Sequence, residues 1–190
     1  MQQYYPAETK RFIAAKAAFA AVGMLFSIGM SILVLTSSVS NAYIVFTAGL
    51  FALSCALLAA AKNQGISVVG DQLFYHNGIR KRELKTVDYI AVVEKTRASR
   101  FGSYPLPVTE KLGSTGEQKQ LYDLILLEDL PEDNVNKFDM HAGSAGVKTW
   151  YSEHICGYAI YSEPLLSEVS RRFPFAKMIC SDSFRQVVAP

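Results

Sequence analysis

Few residues of this chain combine the types and the spacing that chemistry at a protein site requires. His154 and Cys156 stand two residues apart, so on a strand they would share one face and could both bind a zinc ion. A structural zinc site needs about four ligands, usually in paired short spacings. His76, His141 and Cys180 are not arranged in such pairs. The sequence therefore predicts no metal site.

The segment Lys111 to Gly116, KLGSTG, has the composition of a phosphate-binding loop but not its order. A P-loop has glycines about five residues apart that are followed directly by Lys-Ser or Lys-Thr. The acidic stretch 128–139 could bind a cation or a basic partner, but turns commonly contain aspartate. The signatures Gly-x-Ser-x-Gly and His-Glu-x-x-His do not occur. We therefore expect no enzyme: no catalytic residue, no cofactor and no small-molecule substrate.

The charges are distributed very unevenly along the chain. Residues 17–61 contain no Asp, Glu, Lys, Arg or His, and nearly all charged residues follow them. The formal net charge of +2 is small, so we expect no nucleic-acid partner. The three cysteines show no paired spacing, which favours a reducing compartment over a disulfide-linked exported domain.

The uncharged stretch predicts two transmembrane helices, at about residues 12–36 and 42–61. A helix needs roughly 20 apolar residues to cross the hydrocarbon core, and both segments meet that length. The polar stretch SSVSN, residues 37–41, suits a turn between them. A signal peptide cleaved near Ala42 is the alternative, but apolar regions of signal peptides run to only about 7–15 residues. We therefore predict a membrane hairpin within an N-terminal segment, residues 1–64.

Small residues recur every four positions along both spans, which places each set on one helix face and would let two backbones approach closely. They could pack the two helices together or pack them against other subunits. The helix-packing residues are Gly23, Ser27, Ser31, Ala48, Ala52 and Ala56.

The flanking charges predict the orientation of the hairpin. Lys10, Arg11 and Lys16 precede the first span, several basic residues follow the second, and the turn has none. By the positive-inside rule, both termini and the downstream domain face the cytoplasm, as in a multi-pass protein of the cell inner membrane with two spans.

The downstream part, residues 65–190, has the pattern of strands. Short β-rich runs are separated by Gly70-Asp71 and Asn77-Gly78, which are strong hairpin signals. Further strands are predicted at 87–95, 119–130, 147–151 and 154–161. An amphipathic helix then follows Ser162 and stops at Pro174, with Arg171 and Arg172 in its last turn. The tail after Pro174 is ambiguous.

This order of a strand meander, a long loop, more strands and one C-terminal helix resembles bacterial pleckstrin-homology domains. The run from Ile66 to Gly78, ISVVGDQLFYHNG, followed by basic residues and by LKTVDYI at 84–90, is similar to the start of that family. Two transmembrane helices commonly precede the domain there. The resemblance implies an α+β protein, in which a membrane α-helical hairpin carries a mainly β domain. That domain would be an antiparallel barrel or curved sheet with one C-terminal amphipathic helix, and it would lack shared catalytic residues.

Two surfaces are candidate binding sites. Arg80, Lys81, Arg82 and Lys85 could contact anionic membrane lipids, or could simply be a solvated strand edge. The long loop 97–118 contains an arginine and aromatic group of the kind enriched at interfaces. Its candidate partner-binding residues are Arg97, Arg100, Phe101 and Tyr104.

We therefore expect a membrane-anchored binding or assembly module whose cytoplasmic domain contacts a protein partner or its own copies in an oligomer. One alternative is an accessory subunit of a membrane transport or envelope complex that acts through its transmembrane helices. The other is a module that binds anionic lipids.

Overall fold

The structure is a computed structural model that describes residues 2–36, 41–78, 80–97, 105–111, 117–135 and 143–188. It is an α+β protein with a long apolar helix near the amino end and a β-sheet domain. Its helices are α1 (Lys10–Thr36), α2 (Asn41–Lys62), α3 (Glu132–Val135), α4 (Ser144–Trp150), α5 (Glu163–Arg172) and α6 (Asp182–Val188). Its strands are β1 (Gln2–Pro6), β2 (Gln64–Val69), β3 (Gln72–Asn77), β4 (Arg80–Glu83), β5 (Tyr89–Glu94), β6 (Thr96–Arg97), β7 (Leu106–Pro107), β8 (Thr109–Lys111), β9 (Gln118–Gln120), β10 (Tyr122–Leu127), β11 (Ile155–Ile160) and β12 (Lys177–Cys180).

The chain divides into two compact units. One contains residues 8–64 and 76–81, and therefore both long helices. The other contains residues 1–7, 65–75 and 82–190. This division differs from a single boundary after residue 64, because β1 pairs with β2 and so belongs with the sheet domain.

Within the helical unit, α1 and α2 are helices at the positions where two spans were predicted, and a crossing of the membrane by both stays a prediction. By length and composition, one described helix is long enough and apolar enough to cross a membrane, namely Lys10–Val34 within α1. The described apolar stretch of α2, Tyr43–Ala59, is shorter.

The first sheet has the strand order β1-β2-β3-β4. β1 and β2 are antiparallel and run in register from Gln2 opposite Val69 to Pro6 opposite Gly65. The turns on both sides of β3 use glycines with positive φ, Gly70 at 58° and Gly78 at 68°, as the hairpin signals predicted. The first three strands of the predicted meander are the neighbours β2, β3 and β4, but the predicted fourth strand is β5 and lies in the second sheet. β1 precedes both helices and was not predicted.

The second sheet has the order β11-β10-β5-β12. β5, β10 and β11 are antiparallel neighbours, whereas β12 is parallel to β5. A parallel strand after α5 is not part of the predicted pattern. The described strands form two open four-stranded sheets and two short ribbons, β6–β7 and β8–β9, and no closed barrel.

The second sheet is buried on both faces, which explains why all six residues of β10 are buried. One face shares a core with the first sheet and α5, in which Ile66, Leu124 and Leu165 are fully buried. The opposite face packs against α4 through Ile125 and Val147.

The predicted strand at 147–151 is wrong, because this segment is helix α4. Its β-branched and aromatic residues favour a strand by propensity, but packing of Val147 beneath the sheet overrides that preference. The predicted C-terminal helix is confirmed as α5, with Leu165 and Val169 buried. Ser162 is its N-cap by backbone geometry, although its hydroxyl makes no capping hydrogen bond.

Candidate functional site

The surface of the two long helices is the most unusual feature of the described chain. Their large apolar side chains point outward, and Phe19, Leu25 and Val45 are each more than two-thirds exposed. The buried residues are mostly small or polar: Ser27, Thr47 and Ser54 are almost completely buried, as is Ala20, and Val34 is the one larger apolar residue among them in the described part of the helices. This is the reverse of a water-soluble helical pair, which buries large apolar residues and exposes polar ones. The arrangement suits a hydrocarbon solvent.

The buried hydroxyl groups of both helices are satisfied within their own helix. Ser27 Oγ donates to the Gly23 carbonyl at 2.8 Å, and Ser54 Oγ donates to the Leu50 carbonyl at 2.9 Å. Thr47 Oγ1 donates to the Ile44 carbonyl at 3.0 Å. Because apolar surroundings make an unsatisfied polar group costly, these bonds let polar residues lie between the helices.

The helices approach each other closely at Gly23, where an added Cβ would collide with the Ser54 hydroxyl. Two further members of the predicted packing set on α1, Ser27 and Ser31, are buried and half-buried. On α2 the buried face is Thr47 and Ser54, not the predicted alanine stripe.

Ala48 and Ala52 are exposed, and Ala56 is half-buried. They therefore contribute little to the contact between α1 and α2. Successive residues of an α-helix are rotated by about 100°, so Ala48 points away from the buried face on which Thr47 lies. Packing of this stripe against another subunit stays a prediction.

The four predicted lipid-binding residues lie on or just after β4, an edge strand of the first sheet, and all are exposed: Arg80, Lys81, Arg82 and Lys85. Arg82 is partly neutralised, since its guanidinium lies 2.6 Å from Glu128 Oε1. Glu128 also accepts a hydrogen bond from Thr86 Oγ1 at 3.2 Å. A cleft of about 480 Å³ lies beside this pair, between β4 and Thr86.

Only Arg97 of the predicted partner-binding group is described; Arg100, Phe101 and Tyr104 lie outside the described residues. Arg97 is exposed on β6 and pairs with Leu106 of β7, which is 59% exposed. An exposed cation therefore stands opposite an exposed apolar side chain at the start of the loop.

A buried ionic cluster in the sheet domain was not predicted. Asp123 is fully buried in β10, and its two carboxylate oxygens lie 3.0 Å from Lys95 Nζ and 2.8 Å from Lys148 Nζ. Lys95 Nζ also donates to the Ala7 carbonyl at 2.7 Å, and Lys148 Nζ lies 4.0 Å from the Tyr158 ring centroid. An aspartate inside the run LYDLILL is the sequence signal that could have indicated it.

His154 lies in the turn before β11 and is half-buried, whereas Cys156 is buried on that strand. Burial, followed by the nearby Glu128 carboxylate, raises the pKa of the Cys156 thiol to about 12, which keeps the thiol protonated. Within the described ranges, no group of three or more His, Cys, Asp or Glu residues is arranged to hold a metal ion.

No protein-family model matches this chain, and no curated protein and no solved structure matches it either.

Proposed function

We propose that this protein is a membrane-anchored binding module, in which α1 and α2 form a transmembrane hairpin and the sheet domain contacts a protein partner or its own copies in the cytoplasm. The single observation that carries the membrane part is the inverted surface of the helices, with Phe19, Leu25 and Val45 outside and Ser27 and Ser54 inside. In water such a surface would lead to aggregation.

The pairing of β1 with β2 supports a hairpin of two spans. Pro6 lies opposite Gly65 in the register, so the chain leaves the sheet and returns to it at neighbouring positions. If α1 crosses a bilayer, α2 must cross back to bring the chain to the same side. The basic residues Lys10, Arg11, Arg80 and Lys81 at both ends of this excursion favour the cytoplasmic side.

Introducing a charge on the outer surface of the helices tests whether that surface faces lipid or water. In water, Leu25→Lys would improve solubility and leave the fold intact. In a membrane, a lysine near the middle of a span costs about 2.5–3.5 kcal/mol of insertion free energy. We expect Leu25→Lys to reduce the fraction of full-length chain that stays in the membrane pellet after carbonate extraction.

Thr109→Lys on the exposed strand β8 is the matched control, and its chain should stay in the pellet. Recovery of the unaltered protein in the soluble fraction without detergent would contradict the proposal.

The binding role is supported by the exposed pair Arg97 and Leu106 beside the long loop. Membrane tethering raises the local concentration of a partner, so even a weak contact can be sufficient. We expect Arg97→Ala with Leu106→Ala to weaken recovery of partners, or of a differently tagged second copy, in mild-detergent affinity purification. Glu110→Ala on β8 is the control and should not weaken it. Equal recovery with both variants would remove this surface from the proposal.

A second candidate function is that of an accessory subunit of a membrane transport or envelope complex. It is favoured by the exposure of Ala48 and Ala52 on α2, which leaves these small residues outside the contact with α1. Ala48→Leu with Ala52→Leu would then dissociate the complex, whereas Val45→Leu would not. Unchanged complex formation with the double variant would argue against this function.

The exposed basic residues of β4 favour anionic lipid as a further ligand of the module. Each basic residue close to an anionic surface contributes about 1 kcal/mol. Because Arg82 is paired with Glu128, Lys85 would contribute more than Arg82. A vesicle-binding assay with Lys85→Gln and Arg82→Gln tests this order, and equal losses would contradict it.

A further inference from the structure

A groove of about 420 Å³ lies within the helical unit, at the end where α1 begins and α2 finishes. Its wall is mostly apolar and includes Phe19 and Leu57, which are 75% and 45% exposed. These side chains belong to the same outward-facing apolar surface that the proposed function places in lipid. The groove is therefore continuous with the hydrocarbon-facing side of the helices.

Lys16 gives this groove a positive charge at the boundary of the apolar stretch. It is the last charged residue before the uncharged residues 17–61, and it stands one helical turn before Phe19 on the same face. Its ammonium group lies 4.5 Å from the centroid of the Phe12 ring, which holds the side chain along the helix. A lysine here is at the depth where phospholipid phosphates lie when the helix spans a bilayer.

The polar side of the groove comes from the turn that follows β3. Gln64 and Asn77, two residues with carboxamide side chains, line it together with Gly78, which has a φ of 68°. The Gly78 amide donates to the Asn63 carbonyl at 3.2 Å, which fixes the turn. Carboxamides can donate hydrogen bonds to phosphate and glycerol oxygens.

We propose that this groove binds one anionic phospholipid, with its phosphate at Lys16 and the two carboxamides and an acyl chain against Phe19 and Leu57. The inference rests on the proposed membrane insertion and adds a specific site to it. Among the described residues that line the groove, there is one cation and no carboxylate, so an anionic headgroup is favoured over a zwitterionic one. The apolar wall selects a lipid over a free phosphate, because a free phosphate would leave that wall uncovered.

Native mass spectrometry of the full-length protein in a non-ionic detergent tests the site. Dioleoyl phosphatidylglycerol and dioleoyl phosphatidylcholine are titrated in separate samples, and the lipid-bound fractions are compared. We expect the first lipid to bind at least about fivefold more tightly, since one basic residue near an anionic headgroup has an effect of about that size. Lys16→Gln should remove most of this preference, and Lys16→Arg should retain it.

Lys10→Gln is the matched control, because Lys10 is an exposed lysine of the same helix that does not line the groove. It should retain the preference. Equal binding of the two lipids to the unaltered protein, or equal effects of Lys16→Gln and Lys10→Gln, would overturn the site. Full displacement of the lipid by glycerol phosphate at the same concentration would overturn the role of the apolar wall.

Carbonate extraction of the same variants distinguishes failure of the lipid site from failure of the proposed membrane insertion. If all variants stay in the membrane pellet and Lys16→Gln still prefers phosphatidylglycerol, only this site fails. If the unaltered chain is extracted into the soluble fraction, the proposed function fails and the site fails with it.

Discussion

The Nζ of Lys95 lies 3.0 Å from the Oδ1 of Asp123, and both side chains are almost completely excluded from solvent. The same Nζ donates to the carbonyl of Ala7, the residue that follows β1. One buried lysine thus connects the centre of the second sheet to the point where the chain leaves the first sheet. The half-buried Lys148 holds the other carboxylate oxygen, so Asp123 neutralises two cations.

Removal of that carboxylate should be strongly destabilising. Asp123→Ala leaves Lys95 and Lys148 without their common anion, and breaking a buried ion pair in this way costs about 3–5 kcal/mol. Glu128→Ala removes the partner of the exposed Arg82 and should cost at most about 1 kcal/mol. Urea unfolding of both full-length variants in detergent measures the difference. Similar losses in the two variants would contradict the structural role assigned to Asp123.

The fold should lose one stabilising contact in mild acid. The hydrogen bond from Arg172 holds the pKa of Glu168 below its ordinary value of 4.5. Because the folded-state pKa is the lower one, Glu168 stabilises the fold fully above pH 4.5, and this contribution is lost as the pH falls through the folded value. Arg172 also binds the Gly70 carbonyl at 2.6 Å and thereby fixes the β2–β3 turn to α5.

We therefore expect a small difference in melting temperature between the unaltered protein and Glu168→Gln at pH 7 that disappears as the pH falls below 4.5 and through the folded-state pKa. The difference stays small because this carboxylate is still in contact with solvent, its side chain being 33% exposed. Glu110→Gln on β8 should show no such pH-dependent difference. A melting-temperature difference between the two proteins that increases on acidification would contradict a stabilising contact of the ionised Glu168 with Arg172.

Cys156 should resist alkylation in the folded protein. Burial raises the pKa of its thiol to about 12, so almost no thiolate is present at pH 8. In a chain with Cys55→Ala and Cys180→Ala, we expect labelling by iodoacetamide to be at least 100-fold slower than after unfolding in urea. This factor follows from the thiolate fraction at a pKa near 12 compared with an ordinary thiol near 8.5. Rapid labelling in native conditions would show that the thiol is accessible.

Gly23 should be the most sensitive small residue of the helical pair. Gly23→Leu places a side chain where the Ser54 hydroxyl already lies, and overpacking of this kind typically costs about 1–3 kcal/mol. Gly29→Leu in the same helix is the control, because a Cβ at Gly29 meets no atom within 4 Å. Thermal unfolding followed by circular dichroism in detergent should show a lower midpoint for Gly23→Leu only. Equal midpoints would argue against the close approach of α1 and α2.

The sheet domain should fold without the two long helices. Pro6 and Gly65 are paired, so replacement of residues 8–63 by Asn-Gly would join β1 and β2 through a four-residue hairpin loop, Ala7-Asn-Gly-Gln64. We expect this shortened chain to remain soluble without detergent and to unfold cooperatively in near-ultraviolet circular dichroism.

The same shortened chain with Gly65→Ala is the control. It should be less stable, because an added Cβ would collide with the Tyr5 carbonyl oxygen and Gly65 has a φ of 155°. A shortened chain that aggregates or lacks a cooperative transition would contradict the independence of the domain.

Local patterns were sufficient to predict the elements whose signals are themselves local. The uncharged helices, the glycine turns beside β3 and the amphipathic α5 all depend on residues close in sequence. β1 could not be recognised because its partner β2 follows both helices, so no nearby hairpin signal exists. α4 was mistaken for a strand because its helical form depends on tertiary contacts, among them Thr96 Oγ1 accepting the Ala145 amide at 3.0 Å.

The candidate sites could likewise be predicted only where their residues are close together in the sequence. The residue types at Gly23 and Ser27 were enough to predict a close helix contact, but not which face of α2 would meet them. The cluster around Asp123 joins three separate segments of the chain, and only folding brings Lys95 and Lys148 to one carboxylate. The groove at Lys16 likewise combines the start of α1 with the turn after β3.

The pairing of β1 with β2 also sets an order of events during synthesis. β1 leaves the ribosome before β2 and must wait for this partner while residues 7–64 are made, about 3 to 12 seconds at the usual rate of ~5–20 residues per second. Throughout that interval its hydrogen-bonding groups have no neighbouring strand. In the proposed membrane hairpin, completion of the sheet would then depend on correct insertion of both helices, and a chain that failed to return across the bilayer would carry an open sheet edge for chaperones and proteases to recognise.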